Sequence, residues 1–472
     1  MKRVPFRLRL KRLERAPRTP WRPRQIPTRI LPIALVLIAV AAWIYYRVQA
    51  GQIEAARIPG DAQAELEVTK MRLDAIRSTL TVAAGLGGAA ALVLGFRKQQ
   101  HEEFHTTQQR IMDLRVHAVE QLTSENATVR KNGLLTLERL GEQHEELRSS
   151  VLDEICTYLR QPFDPDDHPG STDPEREVRR KAQEILQRKL KRTLGPREYW
   201  SHDRLDLSGA HLERVDFGDC HLVAANFFSA VFAGDASFIE SSFNGYTTFL
   251  ATKFEGSAEF NHSTFLSGAD FKFAEFGDIA FFSRAGFGSA AEFQHAIFRS
   301  PVDFEQTSFL SEFNAHGTRF NADTGFEHAL FRERAAFHEV VFSGTAAFEF
   351  TKFRGDARFD ATVFERRATI LSSTFEKDAH FQGTDFRGPT TFWGSTFNGD
   401  ANFEGTALHE PDIFDLVSFW RPLNPSQLPT GWNLEKLPSP SRYRYLVREP
   451  EPAAGPVPAA DQPEPVATRE RG

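Results

Sequence analysis

Cysteine is nearly absent: Cys156 and Cys220 are the only two in 472 residues. Two thiols cannot build a disulfide framework, and their scarcity fits a chain that works in a reducing compartment. Also missing are a phosphate-binding glycine loop, a Cys/His cluster with metal-ligand spacing and a nucleophile elbow. Those absences remove the usual signatures of nucleotide chemistry, structural zinc and serine-type hydrolysis, so the sequence does not read as an enzyme and implies no cofactor. Charge of one sign is scarce overall, with a net of about −6. Locally it is not: residues 1–30 hold eleven Lys or Arg against one Glu, whereas residues 201–420 hold 32 acidic and 16 basic side chains.

Long hydrophobic runs number two. "ILPIALVLIAVAAWIYY", residues 30–46, is uncharged and ends in an aromatic cluster suited to a membrane interface. "STLTVAAGLGGAAALVLGF", residues 78–96, is uncharged but richer in Gly and Ala. A cleaved signal peptide is the alternative for the first run, but no small-residue cleavage site precedes Trp43 and the basic region before it is long. Between the runs Arg47, Arg57, Lys70, Arg72 and Arg77 are matched by acids, and Arg97 and Lys98 follow the second. By the positive-inside rule both termini face the cytoplasm of a two-span protein in the cell membrane. The basic arm can also attract anionic lipid, although a topology signal alone accounts for it.

Phenylalanine is what the chain has in abundance, 43 residues, and most of them keep one count. Phe254, Phe260, Phe265, Phe271, Phe276, Phe282, Phe287, Phe293, Phe298 and Phe304 alternate steps of six and five. The register continues through Phe342, Phe348, Phe353 and Phe359 to Phe419, with Ile370 and Leu408 in place of Phe. Ala315 alone breaks it, and Phe313 two residues earlier substitutes. Before Phe232 the step is a plain five: Leu207, Leu212, Phe217, Leu222, Phe227. Neither a helix nor a lone strand repeats this way, whereas a solenoid, burying each unit only against its neighbours, does. Small residues such as Ala258, Ala269, Ala280, Ser263 and Thr252 stand two positions before the large ones, on the same side of an extended segment. Gly234, Gly245, Gly256, Gly344, Gly355, Gly388 and Gly399 follow Phe by two in the longer unit, where a widened corner calls for positive φ.

Stretches such as "SGAHLERVDF" and "ADFKFAEF" resemble the pentapeptide-repeat family over residues 203–420. The resemblance implies a right-handed quadrilateral β-helix with Leu or Phe filling the interior, here with coils of 22 residues in place of 20. At ~4.8 Å per coil, about ten coils give a rod on the order of 50 Å long. Residues 97–193 read as helices, and "VRKNGLLTLERLGE" resembles the paired helices of armadillo- and HEAT-type repeats, with Asn126 as an N-cap. The segment is also similar to the helical part that precedes the β-helix in membrane-bound pentapeptide-repeat proteins of actinobacteria.

"HEEFH", residues 101–105, matches the zinc-protease pattern: on a helix His101 and His105 share a face and Glu102 can serve as general base. A catalytic zinc needs a third protein ligand, and "TTQQRIMD" follows where a further His motif belongs; Glu120, Glu125, His117 and His144 lie in no motif. A charged juxtamembrane helix is the favoured reading and a metalloprotease the remote one. The rod's His262, His295, His328, His338 and His380 read as solvated surface. After Phe419, Trp420, Trp432 and Tyr445 are positioned to cover the open end of the β-helix, with a homodimer interface there as the competing reading.

The expected organisation is therefore a basic cytoplasmic arm (1–29), a first span (30–46), an extracytoplasmic loop (47–77), a second span (78–96), a helical module (97–200), the β-helix (201–420), a C-terminal cap (421–447) and a disordered Pro-rich tail (448–472). The expected function is a membrane-anchored scaffold that binds a cytoplasmic protein. The alternative is mimicry of duplex DNA toward a topoisomerase, suggested by an acidic right-handed rod; direct binding of nucleic acid is not expected.

Overall fold

The computed structural model describes residues 30–55, 62–168, 170, 172–193, 195, 198–200, 202–409, 417–421, 423–429, 432–436 and 444–448. The basic arm and the tail beyond residue 448 lie outside the described residues. The chain divides into two compact units, 1–110 and 111–472.

In the first unit α1 (Ile30–Ala55) and the beginning of α2 (Ala62–Leu122) pair through Ile53, Val68 and Ala75, which are buried together, and through Arg72 donating to Glu54 at 2.7 Å. One described helix, α1, is long and apolar enough to cross a membrane, over Val36–Ala55. Residues 78–96 fall inside α2.

The second unit is built on a repeated turn. From Leu205 to Phe419 two-residue strands pair in parallel with the strand one coil away, as in Thr264 with Gly286 and Phe265 with Phe287. Two of the four faces are separate ten-stranded stacks, and the other two merge into one sheet because Val231–Ser237 runs around a corner. Coil length grows along the chain: Leu205 pairs with Ala225, His221 with Ser242, and Ser242 with Thr264, offsets of 20, 21 and 22 residues. The first added residue enters where the register shifts between Glu213 and Val215, at Gly234 with φ +81°.

The Phe side chains that keep the register fill the interior, Phe254, Phe260, Phe265, Phe271, Phe276, Phe282, Phe287, Phe293, Phe298 and Phe304 each being at most 1% exposed. Coil stacking places each ring over its predecessor, with Phe254 and Phe276 4.8 Å apart and Phe337 and Phe359 4.7 Å apart, their planes nearly parallel. Two of the four columns interlock edge-on: Phe260 meets Phe271 at 5.6 Å and 87°, and Phe271 meets Phe282 at 5.6 Å and 89°. Both arrangements suit the ring quadrupole, and each buried Phe also contributes about 1.5–3 kcal/mol of apolar transfer. At the irregular coil Phe313 takes the strand position that Ala holds elsewhere, and its ring fills the gap left by Ala315, 5.7 Å from Phe293 and 5.1 Å from Phe337.

Buried hydroxyls close the turns. Ser263 donates to the Phe238 carbonyl at 2.7 Å, Thr307 to Phe282 at 2.7 Å and Thr318 to Phe293 at 2.7 Å, so the small inward positions carry a second ladder of hydrogen bonds between coils. This explains why Thr and Ser alternate with Ala there.

The glycine expectation needs correction. Gly234 has positive φ, but Gly245, Gly256, Gly344, Gly355, Gly388 and Gly399 do not. They are required by close approach: a Cβ on Gly344 would come within 2.2 Å of the Ala322 carbonyl carbon, and one on Gly355 within 2.2 Å of that of Glu333. Positive φ occurs at the other corners, in the shorter units, at His262, Phe273, Arg284, His295 and Gln306, eleven residues apart. Each is the third residue of a turn such as Phe260–Ser263, closed by the Ser263 N–H donating to the Phe260 carbonyl at 3.1 Å.

Helices seal the N-terminal end. α3 (Ala127–Gln143) begins at Asn126, whose side chain accepts from the Thr128 N–H. With α4 (Arg148–Leu159) and α5 (Pro174–Lys189) it joins a core that runs continuously into the Phe columns. Gln183 accepts from the Glu213 N–H at 2.9 Å, the His221 N–H donates to Leu190 at 2.8 Å, and the Arg192 N–H to Asp219 at 2.6 Å. The backbone groups that a first coil would leave open are thereby paired. Trp200 packs over Gly141, where a Cβ would come 2.4 Å from the indole. Cys156 and Cys220 are buried free thiols.

At the far end the Phe403 N–H donates to Gln427 at 2.8 Å, and Leu423 and Leu428 pack against the core. Trp420 is 60% exposed and does not cover the end, contrary to expectation. Trp432–Lys436 and Arg444–Arg448 form an antiparallel hairpin.

Candidate functional site

With the interior occupied by rings, chemistry is confined to outward positions. Residues 22 apart share a column on the surface, so a short sequence pattern becomes a stripe. On one face Lys253 donates to Glu255 at 2.8 Å and Arg299 to Glu275 at 3.2 Å, bordering a shallow depression of about 270 Å³ floored by Phe254 and Gly277. Farther along, Arg334 faces Glu312 at 3.7 Å, Arg354 faces Glu376 at 3.6 Å and Arg421 faces Asp400 at 3.0 Å. Lys253 pairs within its own coil, whereas the arginines neutralise acids of adjoining coils. Such exposed pairs contribute little stability individually.

Another column is uniformly acidic: Glu305, Glu327 and Glu349 follow one another a coil apart, beside Asp303. Burial, and then the neighbouring carboxylates, raise the pKa of Glu327; burial raises that of Asp303.

The most distinctive arrangement is a run of rings up one corner. Phe273, 55% exposed, stacks on His295 at 5.1 Å; His295 meets His316 at 5.4 Å, and His316 stacks on His338 at 5.1 Å. Phe228 is exposed at the same corner two coils earlier. Glu339 closes the run with its carboxylate between two imidazoles, Oε1 3.3 Å from His338 Nε2 and Oε2 3.9 Å from His316 Nε2. Four aromatic rings and a carboxylate thus form a continuous exposed strip. Applying the 22-residue count to outward residues would have found it, since His316 and His338 differ by one coil.

The other sequence candidates are not brought together in this way. His262 and His328 lie at a different corner, where His328 stacks on Phe350 at 5.0 Å, and His380 points outward from a strand. Residues 101–105 are helical within α2, but the side chains of His101, Glu102 and His105 lie outside the described residues. His117 pairs with Glu120 at 3.6 Å and His144 with Glu146 at 3.7 Å.

Two interior features matter for stability. Glu175 accepts from Arg130 at 2.6 Å and from Tyr158 at 2.9 Å, joining the helices. His202 is buried at the junction of the helices and first coil, and neither ring nitrogen has a hydrogen-bond partner among the described residues. Burial lowers its pKa to about 4.

A family model described as "Pentapeptide repeats (9 copies)" matches residues 337–384. No curated protein and no solved structure matches the chain. The matched segment lies within a single run of coils that keeps the same inward Phe and small-residue positions on both sides of it; the chain is a pentapeptide-repeat protein.

Proposed function

We propose that this protein is a non-catalytic scaffold, anchored in the cell membrane, whose β-helix binds a cytoplasmic protein. The observation that carries this reading is the division of labour in the coil. Stability comes from Phe columns and backbone ladders inside, so outward residues are free to vary, yet one corner gathers Phe228, Phe273, His295, His316 and His338 into an exposed strip. Exposed aromatic residues lining a rigid surface are the usual anchors of protein recognition.

Anchoring rests on the apolar window of α1 and on the basic arm before it. A second crossing by residues 78–96 within α2 would return the chain to the cytoplasm and leave both termini there. In this arrangement the helices of residues 111–200, with their HEAT-like sequence, are a second docking element beside the coils.

Proximity labelling in living cells, with a biotin ligase fused after Gly472, tests the reading. The full chain is compared with a fusion lacking residues 1–96 and with the F228S/F273S variant. Cytoplasmic proteins labelled by the full chain and lost in both comparisons are the expected result. Labelling that is identical in all three refutes the scaffold, and topoisomerase subunits dominating every sample would favour DNA mimicry. Labelling of extracytoplasmic proteins alone would invert the topology.

A further inference from the structure

We propose that His316, His338 and Glu339 form a binding site for a divalent transition-metal ion, with zinc the best fit. The donor set is two imidazoles and one carboxylate, borderline ligands that suit zinc rather than magnesium or calcium. Their ligand atoms all lie within 4.8 Å of one another. Around a tetrahedral zinc with bonds of about 2.1 Å, donor atoms stand about 3.3–3.4 Å apart. His338 Nε2 stands 3.3 Å from Glu339 Oε1 and His316 Nε2 3.9 Å from Glu339 Oε2, so the one carboxylate already faces both imidazoles through its two oxygens. The two imidazoles are stacked at 12°, so at least one ring must turn out of the stack about its side-chain torsions for both nitrogens to face one ion, a movement that leaves the backbone in place.

The fold explains why the donors converge. His316 and His338 hold equivalent turn positions of adjacent coils, and the ladder fixes their backbones in register, as the Gly317 N–H donating to the His338 carbonyl at 3.0 Å shows. Glu339 follows His338 at the positive-φ position, φ +56°, which turns its carboxylate back over both rings. At the equivalent position one coil earlier stands Gly317, φ +66°, where a Cβ would come 2.6 Å from His295 Nδ1. The absent side chain gives the His295 ring its place against His316, while Phe273 holds that ring from behind at 5.1 Å. One coil beyond His338 comes Asp360, whose Oδ1 is shielded from solvent and has no hydrogen-bond partner among the described residues. Three protein donors on an open corner leave a coordination position for water or for a side chain of a docked protein.

The test uses the purified full-length chain in detergent, dialysed against Zn²⁺ and, separately, Co²⁺, with bound metal quantified. The variants are H316Q/H338Q, the control H101Q/H105Q, and H338C. The expected result is loss of one equivalent of zinc in H316Q/H338Q with none lost in H101Q/H105Q, and a thiolate-to-cobalt charge-transfer band in H338C that the unaltered chain lacks. All these substitutions are on the surface or outside the coils, and an unchanged far-ultraviolet dichroism spectrum verifies the fold. Zinc stoichiometry unaffected by H316Q/H338Q, or an H338C variant without the charge-transfer band, overturns the site.

Discussion

The irregular coil offers a stringent test of how the interior is packed. Phe313 is 1% exposed and touches five rings, from Phe309 at 4.6 Å to Phe326 at 6.1 Å, while Ala315 beside it is fully buried. Removing the ring by Phe313→Ala leaves two small residues where every other coil has one, at a cost of about 3–5 kcal/mol. Adding a ring by Ala315→Phe forces two into the same volume and costs about 1–3 kcal/mol or more. The double exchange F313A/A315F restores the pattern of the neighbouring coils, Ala291 with Phe293 and Ala335 with Phe337, and places the introduced ring in the column between those two. Total volume is conserved, so the double variant should lie within about 1.5 kcal/mol of the unaltered chain. Urea unfolding of the purified chain, followed by far-ultraviolet dichroism, gives the four midpoints of the cycle. If the double variant is as destabilised as the two single losses added together, Phe313 does not occupy the volume vacated at Ala315 and the packing argument fails.

Other expectations separate causes that the sequence alone confounds. Gly344→Ala should destabilise at the upper end of about 1–3 kcal/mol because its Cβ meets carbonyl backbone, whereas Gly383→Ala, with φ +63° and open space, should cost about 1–2 kcal/mol and be largely rescued by Asn. Equal behaviour of Asn at both positions in the same urea assay would contradict the distinction. His202 binds its proton in the unfolded chain near pH 6.5 and in the folded one near 4. Between those values the unfolded state holds more protons, so stability falls by about 3 kcal/mol on acidification through this window, and His202→Leu should flatten the profile. Glu327 acts with the opposite sign: its folded pKa is raised, so its contribution improves as pH falls through that value. Glu327→Gln should stabilise the chain at pH 7 and remove this acid gain; a loss of stability at pH 7 would show that the acidic column is held by compensating contacts.

The interior was legible in the sequence because it repeats. Phe at steps of six and five, with a small residue two before it, is a statement about coil length and side-chain direction that no competing fold satisfies. The swap at Phe313 was legible for the same reason, as a local exception to a strong register. Glycine was harder, since two physical demands select the same residue. Its enrichment two after Phe looked like a need for positive φ, but the corner there runs against the previous coil and what is excluded is the Cβ. The true positive-φ corners carry His, Phe, Arg and Gln, at a cost of about 1–2 kcal/mol each that the closed turn and stacked coils offset. Nothing local marks them, and only their spacing of eleven does. The seal formed by α3–α5 was equally hidden, because Gln183, Leu190 and Arg192 dock on the first coil through single backbone contacts that follow no period.

A solenoid converts separation in sequence into position on a surface by one rule, and that rule applies outside as well as inside. Inside, selection for packing repeats the same residue, so the column announces itself. Outside, a functional column needs only two or three coils, and a pair such as His316 and His338 is invisible until the 22-residue offset is applied. The same offset makes like charges neighbours: Glu305, Glu327 and Glu349 stand about one strand spacing apart, where unscreened repulsion in water is about 1 kcal/mol per pair. Elsewhere on this rod acids are offset by a cation in the next coil, as Glu275 is by Arg299 and Glu376 by Arg354. A column that forgoes that compensation carries a stability cost which packing does not require. The acidic column and the histidine corner are therefore two surfaces, among the described residues, where the rod's exterior departs from what the fold needs for its own stability.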